Sequence, residues 1–292
     1  MRTAILLLAA AISAPAATFY LTIAGLGGEL DYTQRFKMWA EDIDASLKKA
    51  GGDTSVTTLI APHLDAIRAR FAEFDKQAKP ADALVVLLIG HGTYDGHDYK
   101  FNIPGADLTA AELAALLDRV PAQRQLVVNM TSCSGASIEQ LRRPNRIVIA
   151  ATRTGSEKNA TNFPRYFAEA LREPAADVDK NDSVTALEAF RYAQSKTTEF
   201  FDTQKRLATE HSTLEDTATK LAAGFTVVRV GANAAAARDP NKRPLLDKKE
   251  QLEQTIEKLK FNKAAMPAQE YKRQLTQLLL ELAKTQEALD KP

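Results

Sequence analysis

Ala83-Leu84-Val85-Val86-Leu87-Leu88-Ile89-Gly90-His91-Gly92 and Gln125-Leu126-Val127-Val128-Asn129-Met130-Thr131-Ser132-Cys133-Ser134-Gly135 are the two stretches on which the fold turns. Each is a short run of Leu, Val and Ile that stops at Gly or Ser. Unbroken apolar runs of this length predict strands buried on both faces, as in parallel sheets. In an open α/β sheet, ligands bind beyond the carboxyl ends of the strands. If the two strands are neighbours, His91 and Cys133 rise from one rim, and a thiol beside an imidazole is a nucleophile with its base.

Cys133 is the only cysteine of the chain, so no intramolecular disulfide can form. A lone thiol in an exported protein is a candidate reactive group; the alternative is an inert buried cysteine. The small polar neighbours in Ser-Cys-Ser-Gly predict an accessible rim position. Ser132 and Ser134 are weaker candidates for the nucleophile, because no Gly-x-Ser-x-Gly elbow is present.

Six strands are predicted at Thr18–Ala24, Thr54–Ile60, Ala83–Ile89, Gln125–Met130, Arg146–Ala151 and Gly224–Val230. Helical patterns over Tyr32–Lys49, Leu64–Lys76, Ala110–Arg119, Phe163–Arg172 and Val184–Leu207 lie between them. Thr109 and Glu112 read as a capping box. This alternation predicts an α/β fold with a mostly parallel six-stranded sheet covered on both faces. Gly25-Leu26-Gly27-Gly28 lacks the full dinucleotide fingerprint and reads as a tight turn on the rim.

The two ends read differently. Met1-Arg2, the apolar run Ala4 to Ile12 and the small residues Ala14-Pro15-Ala16-Ala17 have the form of a signal peptide, so residues 1–17 are expected to be removed on export to a bacterial periplasm or beyond. No later stretch has the ~18–20 apolar residues of a membrane span. About 275 residues then remain, room for one large α/β domain over residues 18–232 and an appendage over 233–292. Gly231 to Pro244 reads as a linker. Lys248–Phe261 and Gln269–Leu289 follow, two charged helices with apolar residues at Leu252, Ile256, Leu259, Tyr271, Leu275, Leu278, Leu279 and Leu282. They predict a helical hairpin, used either for self-association and partner docking or packed back on its own domain. With 38 basic and 37 acidic residues, no basic bias supports nucleic-acid binding.

The motifs resemble those of legumain and its bacterial relatives, which belong with caspases and gingipains among the caspase-fold cysteine peptidases. Ile89-Gly90-His91-Gly92 is similar to the block supplying the catalytic histidine, and Thr131-Ser132-Cys133-Ser134-Gly135 to the block carrying the nucleophile. Ile147 to Thr152 with Gly155-Ser156-Glu157 resembles the next strand and loop. Asp177 to Ala193 and Leu207 to His211 resemble stretches of the bacterial branch. The resemblance covers most of residues 18–232. It implies a caspase-like three-layer sandwich, a Cys133/His91 dyad acting on peptide or protein substrates, and an oxyanion hole made by the amides of Gly92 and Cys133. Two departures bear on specificity: Thr131 stands where legumains carry an acidic residue, and only Gln34-Arg35 stands near their Arg-His. Arg35 is therefore the candidate for binding an Asn or Asp P1 residue, with a solvated helix face as its alternative role.

The chemistry follows from the residues themselves. A free thiol is only a few per cent thiolate at neutral pH, so an imidazole or a helix N-terminus helps it; Ser134 to Glu139 can open such a helix. His91 would protonate the leaving amine and then assist water. A transpeptidase would use the same thioester, and a silent scaffold would keep the fold without turnover. No cofactor is implied for catalysis.

A second constellation runs from Asp177 to Glu188 and matches a twelve-residue calcium loop. Its ligands would be Asp177, Asp179, Asn181, the Ser183 carbonyl, Thr185 through water, and Glu188, with Asp182 where glycine is usual. Asp tolerates the left-handed turn better than most residues. The alternative is a solvated turn capping the next helix. His63, His97 and His211 share no metal-ligand spacing and read as surface or structural residues.

Overall fold

The computed structural model describes residues 16–52, 54–216 and 220–291. The leader expected at the amino terminus falls outside the described residues up to position 15. Ala17 is tied to the residues that open the third strand, its N–H donating to Asp82 Oδ1 at 2.8 Å and its carbonyl accepting from Ala83 N–H.

The core is one six-stranded sheet. Its strands are β1 (Thr18–Ala24), β2 (Thr54–Ile60), β3 (Ala83–Ile89), β7 (Arg124–Asn129), β8 (Arg146–Ala150) and β10 (Thr213–Glu215), in the order β10-β8-β7-β3-β1-β2. All pairings are parallel except β10 with β8. Between β3 and β7 the chain builds a small antiparallel sheet of β4 (Gly92–Tyr94), β5 (Tyr99–Phe101) and β6 (Leu108–Thr109) above the rim.

The apolar runs of β3 and β7 are buried along both faces because helices cover each side. On one face, Val85, Leu87, Ile89, Leu126 and Val128 pack under α1 (Leu30–Lys49), α5 (Phe163–Ala170) and α6 (Ala186–Thr203). On the other, Leu84, Val86, Leu88 and Val127 pack under α2 (Leu64–Gln77) and α3 (Ala110–Arg119). Strict alternation along each strand thus feeds two core layers, giving a three-layer α/β/α sandwich. Thr109 caps α3 as expected, its side chain accepting from Glu112 N–H.

The sixth strand differs from expectation. Gly224–Val230 does not enter the main sheet. Its core, β11 (Thr226–Arg229), pairs antiparallel with β9 (Ser183–Thr185) in a separate two-stranded sheet. The sheet edge goes instead to Thr213–Glu215, too short to stand out as an apolar run. Val184 accordingly lies in a strand, and α6 begins only at Ala186 behind the Thr185 cap.

The segment read as a linker is also structured: α7 (Gly231–Ala236) buries Asn233, Ala234 and Ala236. The predicted hairpin is present as α8 (Arg243–Phe261) and α9 (Ala268–Asp290). It packs back on its own domain. Leu246, Leu252, Ile256 and Leu259 of α8 are buried, Arg229 of β11 forms a forked ion pair with Glu250 at 2.6 and 2.9 Å, and α9 lies on α8. The outer face of α9 leaves Leu279 and Leu280 exposed. No helix among the described residues is long and apolar enough to cross a membrane.

Candidate active site

Strand pairing brings the two motif ends together. Leu88 of β3 stands opposite Asn129 of β7, and Met130 N–H donates to the Leu88 carbonyl at 2.9 Å. Three residues further along β3 comes His91, and three beyond Met130 comes Cys133. The chains touch there, with Gly92 N–H donating to Ser132 Oγ at 3.3 Å. Gly92 has to be glycine. A Cβ at this position would lie against the Ser132 carbonyl, 2.7 Å from a Tyr99 ring carbon and 2.8 Å from Thr131 Oγ1.

The His91 imidazole is half-buried against α1. Tyr32 and Phe36 meet it edge-on, with ring centroids 4.8 and 5.0 Å away. Burial lowers its pKa from the usual histidine value, while a hydrogen bond with the Gly27 backbone and the charge of Glu29 act in the opposite direction.

Cys133 is not at an accessible position: its relative exposure is 1%. The small neighbours that suggested a rim position instead allow a tight turn, with Cys133 itself at φ 59°, ψ 6° before a single 3-10 turn over Ser134–Ser137 and the short helix α4 (Ile138–Leu141). A left-handed non-glycine residue stores local strain, a feature that clusters at functional sites. Burial pushes the thiol pKa up, against the charge of Lys158 and a hydrogen bond with the Tyr94 backbone. Among the described residues no hydrogen bond joins the thiol to the imidazole. The thiol belongs to the core layer shared with Tyr99, Phe101 and α3, the imidazole to the α1 side.

Beneath Cys133 runs a buried polar chain. Tyr99 Oη lies 2.5 Å from Thr131 Oγ1 and donates to Asn129 Oδ1 at 3.1 Å. Asn129 Nδ2 donates to Ser137 Oγ at 3.0 Å, and Ser137 Oγ to the Ser134 carbonyl at 2.7 Å. Thr131, the departure from the legumain pattern, is a member of this chain. Ser134 is fully buried, with its hydroxyl 3.2 Å from Thr152 Oγ1 and accepting from Thr152 N–H, and Ser132 Oγ is taken by Gly92. Both serines therefore act as braces.

The two amides that the resemblance assigns to an oxyanion hole are not free donors in this structure. Gly92 N–H is held by Ser132, and Cys133 N–H donates to the Glu157 carbonyl at 2.9 Å. Glu157 is in turn fixed by its carboxylate, which accepts Arg153 N–H at 2.8 Å and His211 N–H at 3.1 Å and lies 2.7 Å from His211 Nδ1. The sequence places Glu157 in the loop after the Ile147–Thr152 strand, with no role assigned, and reads His211 as structural. Their separation of 54 positions carries no local signal. Together they close the loop after β8 over Cys133.

Arg35 lines a cleft of about 310 Å³ together with Tyr32, Trp39, Asn162, Phe201 and Arg206. It is half-exposed, pairs with Asp31 at 2.7 Å and lies over the Tyr32 ring at 5.8 Å. Tyr32 also contacts His91, so the cleft adjoins the imidazole. Arg206 is a second cation there that sequence reading missed, and among the described residues its side chain has no acidic partner.

The Asp177–Glu188 loop brings three of its six expected ligands together. Carboxylate oxygens of Asp177, Asp179 and Glu188 converge within 4.8 Å of one another. Asp182, at the position where glycine is usual, has φ 64°. Asp177 accepts from Asn181 N–H and Asp182 N–H at 3.1 and 3.0 Å, and Thr185 and Glu188 form a capping box at the start of α6. Burial and the charges of Glu188 and Asp177 push the Asp179 carboxyl above its usual pKa. Asn181 and Thr185 are turned to other partners: Asn181 Oδ1 accepts from Ser183 N–H, and Thr185 Oγ1 donates to Glu188. Oxygen-only, carboxylate-rich donors of this kind suit a hard divalent cation.

No family model matches this chain, and no curated protein matches it. Among the solved structures similar to it are three that each share 11% identity. They are a protein from Geobacter sulfurreducens (TM-score 0.46, covering 69% of this chain and 92% of the other), the Drosophila initiator caspase Dronc (0.45, 69% and 79%) and Caspase-1 from Spodoptera frugiperda (0.49, 68% and 86%).

Proposed function

We propose that this chain is an exported cysteine endopeptidase of the legumain-like, bacterial kind, with Cys133 as nucleophile and His91 as acid and base. The observation that carries the reading is the pairing of β3 with β7, which delivers the chain's only thiol and a half-buried imidazole to one rim beside a cationic cleft. His91 would take the thiol proton as Cys133 Sγ attacks the scissile carbonyl carbon. As the C–N bond breaks, His91 would give the leaving amine a proton, and a thioester would remain. Water, losing a proton to His91, would then release the acid and restore the thiol.

Such turnover needs a change from the arrangement described above. Gly92 N–H must leave Ser132, and Cys133 N–H must leave the Glu157 carbonyl, before either can stabilise an oxyanion. One such donor is typically worth ~2.7–4 kcal/mol of barrier. The closed thiol and occupied amides favour a second reading, a scaffold that keeps the fold without turnover. Peptidyl acyloxymethyl ketones decide between them. Labelling of Cys133, located by mass spectrometry under reducing conditions, supports the peptidase. Absence of label across Asp, Asn, Arg and Ala at P1 leaves the scaffold.

Preference for Asn or Asp at P1 rests on the cleft. A guanidinium pairs with a carboxylate through two N–H groups and can donate to an amide carbonyl. Arg35 is partly neutralised by Asp31, so Arg206 supplies the less compensated charge. Arg35→Ala and Arg206→Ala are each expected to lower kcat/KM for an Asp P1 substrate about tenfold or more, consistent with ~1.5–3 kcal/mol for a hydrogen bond to a charged group, while sparing an Ala P1 substrate. A cleavage profile centred on Arg or Lys at P1 would defeat this assignment.

Calcium in the Asp177–Glu188 loop would be structural, bracing β9 and the start of α6. Saturating calcium at a hundred times its dissociation constant stabilises by ~2.7 kcal/mol. The chain's Tm should therefore rise in calcium, fall in chelator, and become indifferent to both in Glu188→Ala. Equal melting of the wild type in calcium and in chelator would leave a solvated turn.

A further inference from the structure

We infer that the cavity between the amino-terminal ends of the central strands and helix α8 is a binding site for a small organic anion bearing carboxylate or phosphate groups. The cavity measures about 820 Å³, within the ~300–1,000 Å³ typical of small-molecule sites. Thr18, Ala83 and Arg124, at the starts of β1, β3 and β7, form one wall; Glu250 and Gln254 of α8 form the opposite one. It lies at the far end of the sheet from His91 and Cys133, about 20 Å away for a seven-residue strand.

Charge bookkeeping around this cavity does not close. Its lining carries Arg124, Arg229, Arg238, Arg243 and Lys248 against only Asp247 and Glu250. Arg229 is matched by Glu250, Arg243 by Asp247 at 3.0 Å, and Lys248 by Glu281 at 2.8 Å. Among the described residues two guanidinium groups are left over. Within that set Arg238 donates to the Lys49 carbonyl, a neutral acceptor, and to no carboxylate. Arg124 lies over the Phe225 ring at 5.1 Å and has no hydrogen-bond acceptor among the described residues. Its surroundings oppose the charge, since burial pushes its pKa down and Arg229 adds repulsion, with Glu250 as partial relief.

A guanidinium lying over an aromatic ring, lining the cavity and lacking an acceptor among the described residues keeps its N–H donors available to whatever enters. Planar, charge-assisted pairing with carboxylate or phosphate is the interaction this group is built for. Two unmatched cations call for a ligand with about two negative charges. Because α8 supplies a wall, the bound anion would also fasten the hairpin to the sheet. The site is independent of the peptidase reading.

The test is a titration of the full chain at constant ionic strength, read by calorimetry and by Tm, with succinate, citrate, inorganic phosphate and pyrophosphate as probes and chloride as reference. A saturable response to at least one probe is expected, with its dissociation constant raised tenfold or more in Arg124→Gln and in Arg238→Gln. A response confined to the carboxylates or to the phosphates supports the site and names its ligand class. No response beyond that of chloride, or unchanged affinity in both variants, overturns it. Arg238 is exposed, so Arg238→Gln decides the matter alone if Arg124→Gln does not fold.

Discussion

Cys133→Ala is expected to abolish turnover while leaving the sandwich folded, and His91→Ala to lower kcat by about 10²–10⁴-fold. No other thiol exists in the chain to take over, and the neighbouring Ser132 and Ser134 hydroxyls are committed to Gly92 and Thr152. The cost in stability should be small. Replacing a buried thiol by a methyl group leaves only a small void, worth about 1 kcal/mol, and the left-handed backbone at this position is no worse for alanine than for cysteine. The imidazole is packed by Tyr32 and Phe36 on one side only. Circular dichroism and Tm, with turnover of a fluorogenic peptide, separate loss of chemistry from loss of fold. If either variant keeps more than a few per cent of wild-type turnover at an unchanged Tm, the dyad assignment is wrong.

Gly92→Ala is expected to damage both stability and catalysis, although it adds one methyl group. The new Cβ would press on the Ser132 carbonyl, the Tyr99 ring and Thr131 Oγ1. None of these can swing away. The carbonyl is backbone, and Tyr99 and Thr131 are locked to each other and to Asn129. Overpacking of this kind costs about 1–3 kcal/mol, or several degrees of Tm for a domain of this size. The strand would relieve the contact by moving the Gly92 amide and His91 with it, and a misplacement near 1 Å costs catalysis about 10²-fold. Wild-type kcat/KM and Tm in this variant would show that the amide has no role and the packing is softer than described.

The closed loop over Cys133 changes what the dyad variants mean. Glu157 accepts the nucleophile's own N–H and is pinned by Arg153 and His211. On the proposed reading, turnover would depend on opening this clasp as well as on the thiol and the imidazole. Neither partner could be found by reading locally. Glu157 follows a Gly-Ser pair in a loop, and His211 sits among polar residues before a three-residue strand, so each is ordinary until the chain brings them to 2.7 Å.

Much of the architecture was legible because it follows from short-range rules. The runs 83–89 and 125–130 are uniformly apolar because helices cover both faces of their strands, and β1, β2 and α3 match the predicted boundaries residue for residue. The convergence of the Asp177, Asp179 and Glu188 carboxylates is likewise local, made by the turns of twelve consecutive residues. Where pattern was weak, tertiary contact decided. Thr213–Glu215 has only three residues to show, yet it takes the sheet edge because β8 offers unpaired backbone there. Gly231–Ala236 reads as a loose tether, yet it is helical because Asn233 and its alanines find a surface to cover.

The amino-acid order by itself thus determined the central strands and the helices that cover them, that they layer as α/β/α, and that one thiol and one imidazole each follow the end of a buried strand. Strand periodicity and helix caps are local and survive without knowledge of neighbours. Only the tertiary structure decided that the thiol is buried rather than exposed, that both amides at the rim are occupied, and that Arg124 lacks an acceptor. These are questions of which distant group arrives at hydrogen-bonding distance, and with what burial, and sequence spacing holds no record of either.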